Sequence, residues 1–345
     1  MKYSASPPEI VGPSPLCLKE TFHTLYTLDQ YNGLGYLKLN AAGLDHRLID
    51  LPDSPIFDWV ARSKGGLVWD MLSRITGQAR FRQILQNFTR RHASQAVTLD
   101  QFLRAIEEGA GQKLDWFDRQ WLEQTGAPAW ELTWKQEGGQ LRGVITQPAP
   151  YYRVTLEVQI EESNQKAQLR TIEVSGPRTE FNWPVKLNVR SVALDPHFLV
   201  LHWTPDYLAE AAGLAGYTRG RFKLNENKLI EAGEEFRKAL EKVTVPDLHS
   251  VRFLLENGLD IVYYNQKNWK EAQAHFEAAL ASPSRRADQI PFVYLRLARI
   301  ARELKDDAAL CRAVENLISA DAVVGNSTGA ANTVHAQFEK CRRAP

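Results

Sequence analysis

The side chains of this chain best suited to chemistry are eight histidines and three cysteines. A zinc hydrolase typically places two histidines four positions apart on one helix face, with a glutamate between them as general base. The histidines are His23, His46, His92, His197, His202, His249, His275 and His335, and no two are four apart. The closest pair, His197 and His202, lies in a run that reads as strand, with no acid between. Cys17, Cys311 and Cys341 have no histidine placed by a local signature, and no CxxC pair offers a zinc knuckle. Their odd number is no disulfide framework, and Cys311 and Cys341 read as small apolar residues packed between helices. Gly33-Leu34-Gly35 is too short for a phosphate loop. Glu107-Glu108 reads as a solvated helix end, and Arg90-Arg91-His92 as a C-terminal turn whose charge suits the helix dipole.

Elements must hold whatever chemistry remains. The 345 residues are 44% hydrophobic and 24% charged, enough for two or three domains. With 42 basic against 41 acidic residues, nothing points to nucleic acid as a partner. No apolar run is long enough to cross a membrane. The first 20 residues lack the apolar core of a secretory signal, so the sequence as it stands predicts a cytoplasmic protein.

Residues 1–54 are weakly patterned: prolines break the start, 18–31 could form one helix, and 40–58 reads as loop. Residues 55–129 read as helical. A helix opens at Lys64-Gly65-Gly66, carries Leu67, Met71, Leu72 and Ile75 on one face and stops at Gly77. Phe81, Ile84, Leu85 and Phe88 form the next stripe, and Thr98 with Gln101 makes a capping box before the third helix. Leu114 to Gln124 holds the fourth. From Trp130 the period changes to two. Runs at 130–134, 141–146, 152–160, 169–174, 178–183, 191–194 and 199–203 predict a small antiparallel β-sandwich over 130–205. Trp116, Trp121, Trp130 and Trp134 are placed to join the helices to it.

Residues 206–345 are helical and repeat. Glu231-Ala-Gly-Glu-Glu-Phe-Arg-Lys-Ala-Leu and Glu271-Ala-Gln-Ala-His-Phe-Glu-Ala-Ala-Leu share E-A-x-x-x-F-x-x-A-L, 40 residues apart. The unit resembles a tetratricopeptide hairpin with a lengthened loop, and 297–317 reads as a degenerate third copy. Ala232, Ala239, Ala272 and Ala279 would let paired helices approach, while Phe236 and Phe276 fill the space between hairpins. Tyr263 and Tyr264 divide between interior and groove, and 330–342 suggests a capping helix.

The middle of the chain carries a further resemblance. The Lys64-Gly65-Gly66 stretch, Gly77 followed by Phe81, the Thr98/Asp100/Phe102 helix, Trp116-Phe117 with Gln120-Trp121-Leu122, and Gly126-Ala127-Pro128 occur in this order. Together they resemble the part of aminopeptidase N-type zinc metallopeptidases, which are gluzincins, that follows the active site. The resemblance implies a cleft lined by the helix start at Lys64, Gly65 and Gly66. It also implies an oxyanion-donating tyrosine two residues before the lysine, where this chain has Arg62. The metal motif of such enzymes lies farther upstream than this chain has residues.

The expected fold is therefore α+β and multidomain: a helical segment from a gluzincin catalytic domain, a small β-sandwich, and a C-terminal α-solenoid of tetratricopeptide-like hairpins. No catalytic or metal-ligating residue is expected in the chain, and zinc only if a catalytic half exists. The expected role is a non-catalytic remnant acting through a protein or peptide partner of its helical repeats. The alternative is the C-terminal part of an active zinc aminopeptidase whose H-E-x-x-H half lies upstream or on another chain, and which would then be exported. A third reading pairs an exposed apolar face at Leu67 and Trp69 with a zinc-bearing subunit.

Overall fold

The structure, a computed structural model, describes residues 34–163, 166–334 and 341. The helix foreseen at 18–31 lies outside the described residues, as does most of the 330–342 segment. Of that segment, Ala331–Val334 is a single 3-10 turn.

The chain enters the described part as α1 (Leu34–Ala42), a helix within and before the expected loop. A 3-10 turn follows at Leu48–Asp50, and helix resumes at Pro55. Proline is tolerated there because the first helical N–H has no intrahelical partner. Ser54 caps the turn, accepting from the Ile56 N–H at 3.3 Å. Helix then runs through α2 (Pro55–Val60), a π turn (Ala61–Gly65) and α3 (Gly66–Thr76). The expected helix start at Lys64-Gly65-Gly66 is therefore corrected: these residues lie in and just after a π turn inside a continuing helix. Val68, Met71 and Leu72 are the buried apolar residues of α3, whereas Ile75 is exposed. Gly77, at φ +85°, ends α3 and opens α4 (Gln78–Arg91). The Thr98/Gln101 capping box starts α5 (Leu99–Ala110). Then comes α6 (Asp115–Trp121). Glu107 is not merely solvated: its carboxylate accepts the Leu114 N–H at 2.8 Å and pairs with Lys113, closing the α5–α6 loop.

Six strands form two three-stranded antiparallel sheets. They are β1 (Glu131–Glu137), β2 (Gln140–Thr146), β3 (Val154–Glu162), β4 (Gln168–Val174), β5 (Arg178–Pro184) and β6 (Val189–Leu194). The orders are β1-β2-β5 and β4-β3-β6. In β3 the alternation buries Val154, Leu156, Val158 and Ile160. The run 199–203 is no strand. Its backbone donors are taken by the buried Asp195 carboxylate, which accepts from the Leu199 and Val200 N–H groups at 2.8 Å each. One bridge between Ala129 and Trp203 remains. Trp121 and Trp130 are buried, the first 5.2 Å from the Tyr152 ring, and Trp116 stacks under Arg153. Trp134 lies on the outer face, 36% exposed, and joins nothing to the helices.

After α7 (Pro205–Ala209), three helical hairpins follow. They are α8 (Ala211–Asn225) with α9 (Leu229–Leu240), α10 (Val251–Asn265) with α11 (Trp269–Ala281), and α12 (Ile290–Glu303) with α13 (Asp307–Val323). All three turn alike. Asn227, Lys267 and Lys305 have positive φ, and the next N–H reaches back five residues: Lys228 to Lys223, Asn268 to Tyr263, Asp306 to Ala301. That backward bond is the Schellman closure, which satisfies carbonyls orphaned at the helix end. Ala232, Phe236, Ala239, Ala272, Phe276 and Ala279 are all buried. Phe236 lies between Gly220 and Gly258; a Cβ on Gly258 would come within 2.7 Å of its ring. Cys311 and Cys341 are joined as a disulfide, which corrects the reading of two packed thiols. The bond ties the end of the chain to α13.

Candidate functional site

Two places gather polar side chains, one within the first helical region and one where that region meets the hairpins. The first centres on Lys64, which is fully buried. Its ammonium donates to the Gln124 carbonyl at 2.5 Å and lies 3.4 Å from the Tyr36 hydroxyl. Tyr36 in turn donates to Asp45 Oδ2 at 3.1 Å, and the Gly126 N–H donates to the Tyr36 hydroxyl at 2.7 Å. Burial pulls the Lys64 ammonium down to about 8, against the Asp45 carboxylate, which favours its charge. Burial also pushes the Tyr36 phenol above its ordinary range.

This arrangement locks the π turn to the loop ahead of Ala127-Pro128. Lys64 and Gly65 are buried and Gly66 is exposed, so Lys64 and Gly65 line no open cleft. Nor is Gly65 needed for a tight approach, since an added Cβ would make ordinary contact with Leu48 at 3.7 Å. Arg62 is exposed on the same turn. Trp69 is packed edge-on against Phe102, which covers part of the apolar face foreseen around it.

The second place is a groove of about 440 Å³. Lys38 of α1 and Trp59 of α2 form one wall; α8, α10, α12 and the turn after α13 form the rest. Trp59 meets Phe222 of α8 at 6.0 Å, which seats the first region on the hairpins. Tyr217, Asn257 and Arg296 are each the seventh residue of their helix, so the groove runs along equivalent positions of three successive hairpins. Its floor is charged. Asp260 is fully buried, with Oδ1 3.4 Å from Arg296 Nε, and neither Asp260 oxygen has a hydrogen bond among the described residues. Burial raises the Asp260 carboxyl well above the carboxylate range while Arg296 opposes the shift. Burial likewise lowers the Arg296 guanidinium. Arg296 also donates to the Asn257 side-chain carbonyl, and Asn257 donates to Gln289 at 3.1 Å. The buried Asp321 accepts from Thr328 Oγ1 at 2.7 Å and the Ala331 N–H at 3.0 Å, fixing the turn that closes the groove.

None of the groove's charged residues stands out by sequence spacing. The available signal was Asp260 itself, an acid flanked by Leu259, Ile261 and Val262 on an apolar helix. The turn Gly325-Asn326-Ser327-Thr328-Gly329 has the letters of a nucleophile elbow. It follows a helix rather than a strand, so Ser327 lacks the strained strand-to-helix turn that the motif requires. Among the described residues the histidines do not converge. His197 pairs with Glu157, His202 with Asp195, His249 with Glu210 and His275 with Glu256. Among the described residues no group of three His, Cys, Asp or Glu is placed to hold a metal, so these residues do not fit zinc. Tyr263 stacks on His275, and Tyr264 packs edge-on against Trp269. No helix among the described residues is long and apolar enough to cross a membrane.

No curated relative matches the chain. The crystal structure of Legionella pneumophila aminopeptidase A in complex with aspartic acid is similar over 93% of this chain, at 14% identity and a TM-score of 0.42. The match spans 41% of that aminopeptidase. Residues 18–121 match the family model described as Peptidase family M1 domain. The resemblance to aminopeptidase N-type metallopeptidases thus holds for this segment, and residues 18–121 are the peptidase-like part of the chain.

Proposed function

We propose that this chain is a non-catalytic relative of aminopeptidase N-type peptidases that binds an extended segment of a partner protein. The observation that carries this reading is the groove, built jointly by the peptidase-like helices and three hairpins along equivalent helix positions. A row across three helices spaced about 10 Å apart suits about six extended residues at roughly 3.3 Å each. The Cys311–Cys341 bond adds that the protein works in an oxidising compartment, where such bonds persist. Probing an array of blocked hexapeptides with the full chain tests the reading. Retention of a subset, lost on Phe292→Arg at an exposed position of the groove, is the supporting result. No retention above the Phe292→Arg background overturns it.

The family match favours a second reading, the C-terminal part of an active zinc aminopeptidase whose H-E-x-x-H half lies upstream or on another chain. Zinc belongs to this reading alone. Intact mass of the native protein, captured through residues 206–345, separates the two: a mass near 39.1 kDa supports the first. A mass tens of kilodaltons larger, or co-purified zinc-dependent release of amino-terminal residues, supports the second.

A further inference from the structure

The charges of the groove floor are not balanced within the chain. Arg221 enters from α8 and Arg296 from α12, and both act on the carboxylate of Asp260, on α10 between them; the nearby Glu256 is already paired with His275. Asp260 reaches Arg296 only as an ion pair of 3.4 Å, and Arg296 Nε has no hydrogen bond among the described residues. Arg221 makes no hydrogen bond or ion pair among them either. Two guanidiniums thus share one buried acid. A guanidinium is permanently charged and presents its donors in a fork that matches a carboxylate. The one lining acid, Asp288, is paired with Arg286 at 3.1 Å and so leaves Arg221 and Arg296 to the groove.

We infer that the groove receives an internal acidic residue, Asp or Glu, of an extended partner segment, its carboxylate seated between Arg221 and Arg296. The inference rests on the peptide-binding reading above and names the chemistry of the bound segment. Three features support it. The network from Gln289 through Asn257 holds Arg296 in place before any ligand arrives, so little ordering is left to binding. The incoming carboxylate offers the two guanidiniums an acceptor that Asp260, hydrogen-bonded to neither, does not supply. Apolar surface flanks the cationic centre on both sides, Trp59 and Phe222 toward the first region and Phe292 toward α12. Ligand therefore continues in both directions, which favours a side-chain carboxylate over a chain terminus.

The test titrates the full chain with three peptides and follows heat of binding. The first is acetyl-Phe-Leu-Glu-Leu-Phe-amide, the second has Gln in place of Glu, and the third is acetyl-Phe-Leu-Leu-Phe with a free carboxyl terminus. The blocked Glu peptide is expected to bind at least about ten-fold tighter than the Gln peptide, as a charge-assisted bond supplies. Arg221→Gln is expected to erase that preference, the Glu peptide losing more affinity than the Gln peptide, and Arg221→Lys to restore part of it. Arg221 is half-exposed, so a circular dichroism spectrum matching the parent's confirms that the variants fold. Equal binding of Glu and Gln peptides overturns the carboxylate inference and leaves peptide binding standing. Tighter binding of the free-terminus peptide overturns the internal acid. Failure of all three peptides, together with an empty hexapeptide array, removes both readings.

Discussion

Lys64 in the peptidase-like region and Arg296 in the hairpin region are both cations taken out of water, and their surroundings differ in kind. Lys64 is enclosed by its own chain, with a carbonyl, a phenol and, behind it, the Asp45 carboxylate. It lines no groove and serves to hold a π turn against the loop before β1. Arg296 lines a groove, has one guanidinium nitrogen without a hydrogen bond, and rests on an acid with neither oxygen hydrogen-bonded. A buried pair so poorly satisfied adds little to stability, because desolvating both ions offsets their attraction. The peptidase-like region therefore spends its motif residues on the fold, and the hairpin region leaves buried polar groups unsatisfied beside a groove.

The strongest way to break that comparison is to separate the Asp260–Arg296 pair. Asp260→Ala is expected to cost about 3–5 kcal/mol in urea unfolding, since it strands a largely buried guanidinium without its acid. The double variant Asp260→Leu with Arg296→Met is expected to return to within about 1 kcal/mol of the parent, because an apolar pair of similar volume avoids the desolvation cost. A double variant as unstable as the single one would show that the pair is kept for stability, and the contrast with Lys64 would fail.

Next in size is the disulfide. Cys311 and Cys341 close a loop with a sequence separation of 30, and loop-closure entropy for such a span is worth about 3–4 kcal/mol. The loop contains the turn Val324 to Thr328, one wall of the groove. Cys311→Ser is expected to lower the melting temperature and weaken peptide binding together, and reductant should then have no further effect. Unchanged melting of the parent in reductant would show that the bond does not form in solution.

Lys64 gives a pH signature. Its folded value of about 8 lies below the ordinary lysine value near 10.4, so between those pH values the unfolded chain binds more protons. Stability is therefore expected to rise with pH from about 8 to about 10.4, by roughly 3 kcal/mol in all, and to be lower throughout below pH 8. Lys64→Met should flatten that rise. A parent whose stability is level across the window would mean that Lys64 is not desolvated, and the first half of the comparison would fall.

Much of this was legible in the sequence where the signal is local. The Thr98 cap, the Gly77 stop, the alternation of β3 and the E-A-x-x-x-F-x-x-A-L spacing each depend on residues within a turn or two of one another. What was not legible depends on partners far along the chain. Lys64 meets Gln124 across 60 positions, and Asp260 of one hairpin meets Arg296 of the next across α11. The run 199–203 looked like strand because its apolar spacing fits. The competing acceptor, Asp195, takes its backbone donors through a side chain that a periodicity pattern does not register. The helix at Pro55 was hidden for the opposite reason: proline breaks helices everywhere except the first turn.

The smallest expected effect tests the peptidase-like region where its sequence is plainest. Thr98 accepts the Gln101 N–H at 3.2 Å, and Gln101 accepts the Thr98 N–H at 2.9 Å. Both residues are exposed, so water can replace these bonds in part. Thr98→Ala is expected to cost about 1 kcal/mol, and Thr98→Gly less, since glycine leaves the capping N–H groups open to water. Thr98→Ser should be nearly neutral. Binding of the acidic peptide should be the same in all three, because α5 lines none of the groove. A change in peptide affinity with these caps would mean that the peptidase-like helices transmit strain to the hairpins, and that the two regions do not divide fold from ligand as Lys64 and Arg296 suggest.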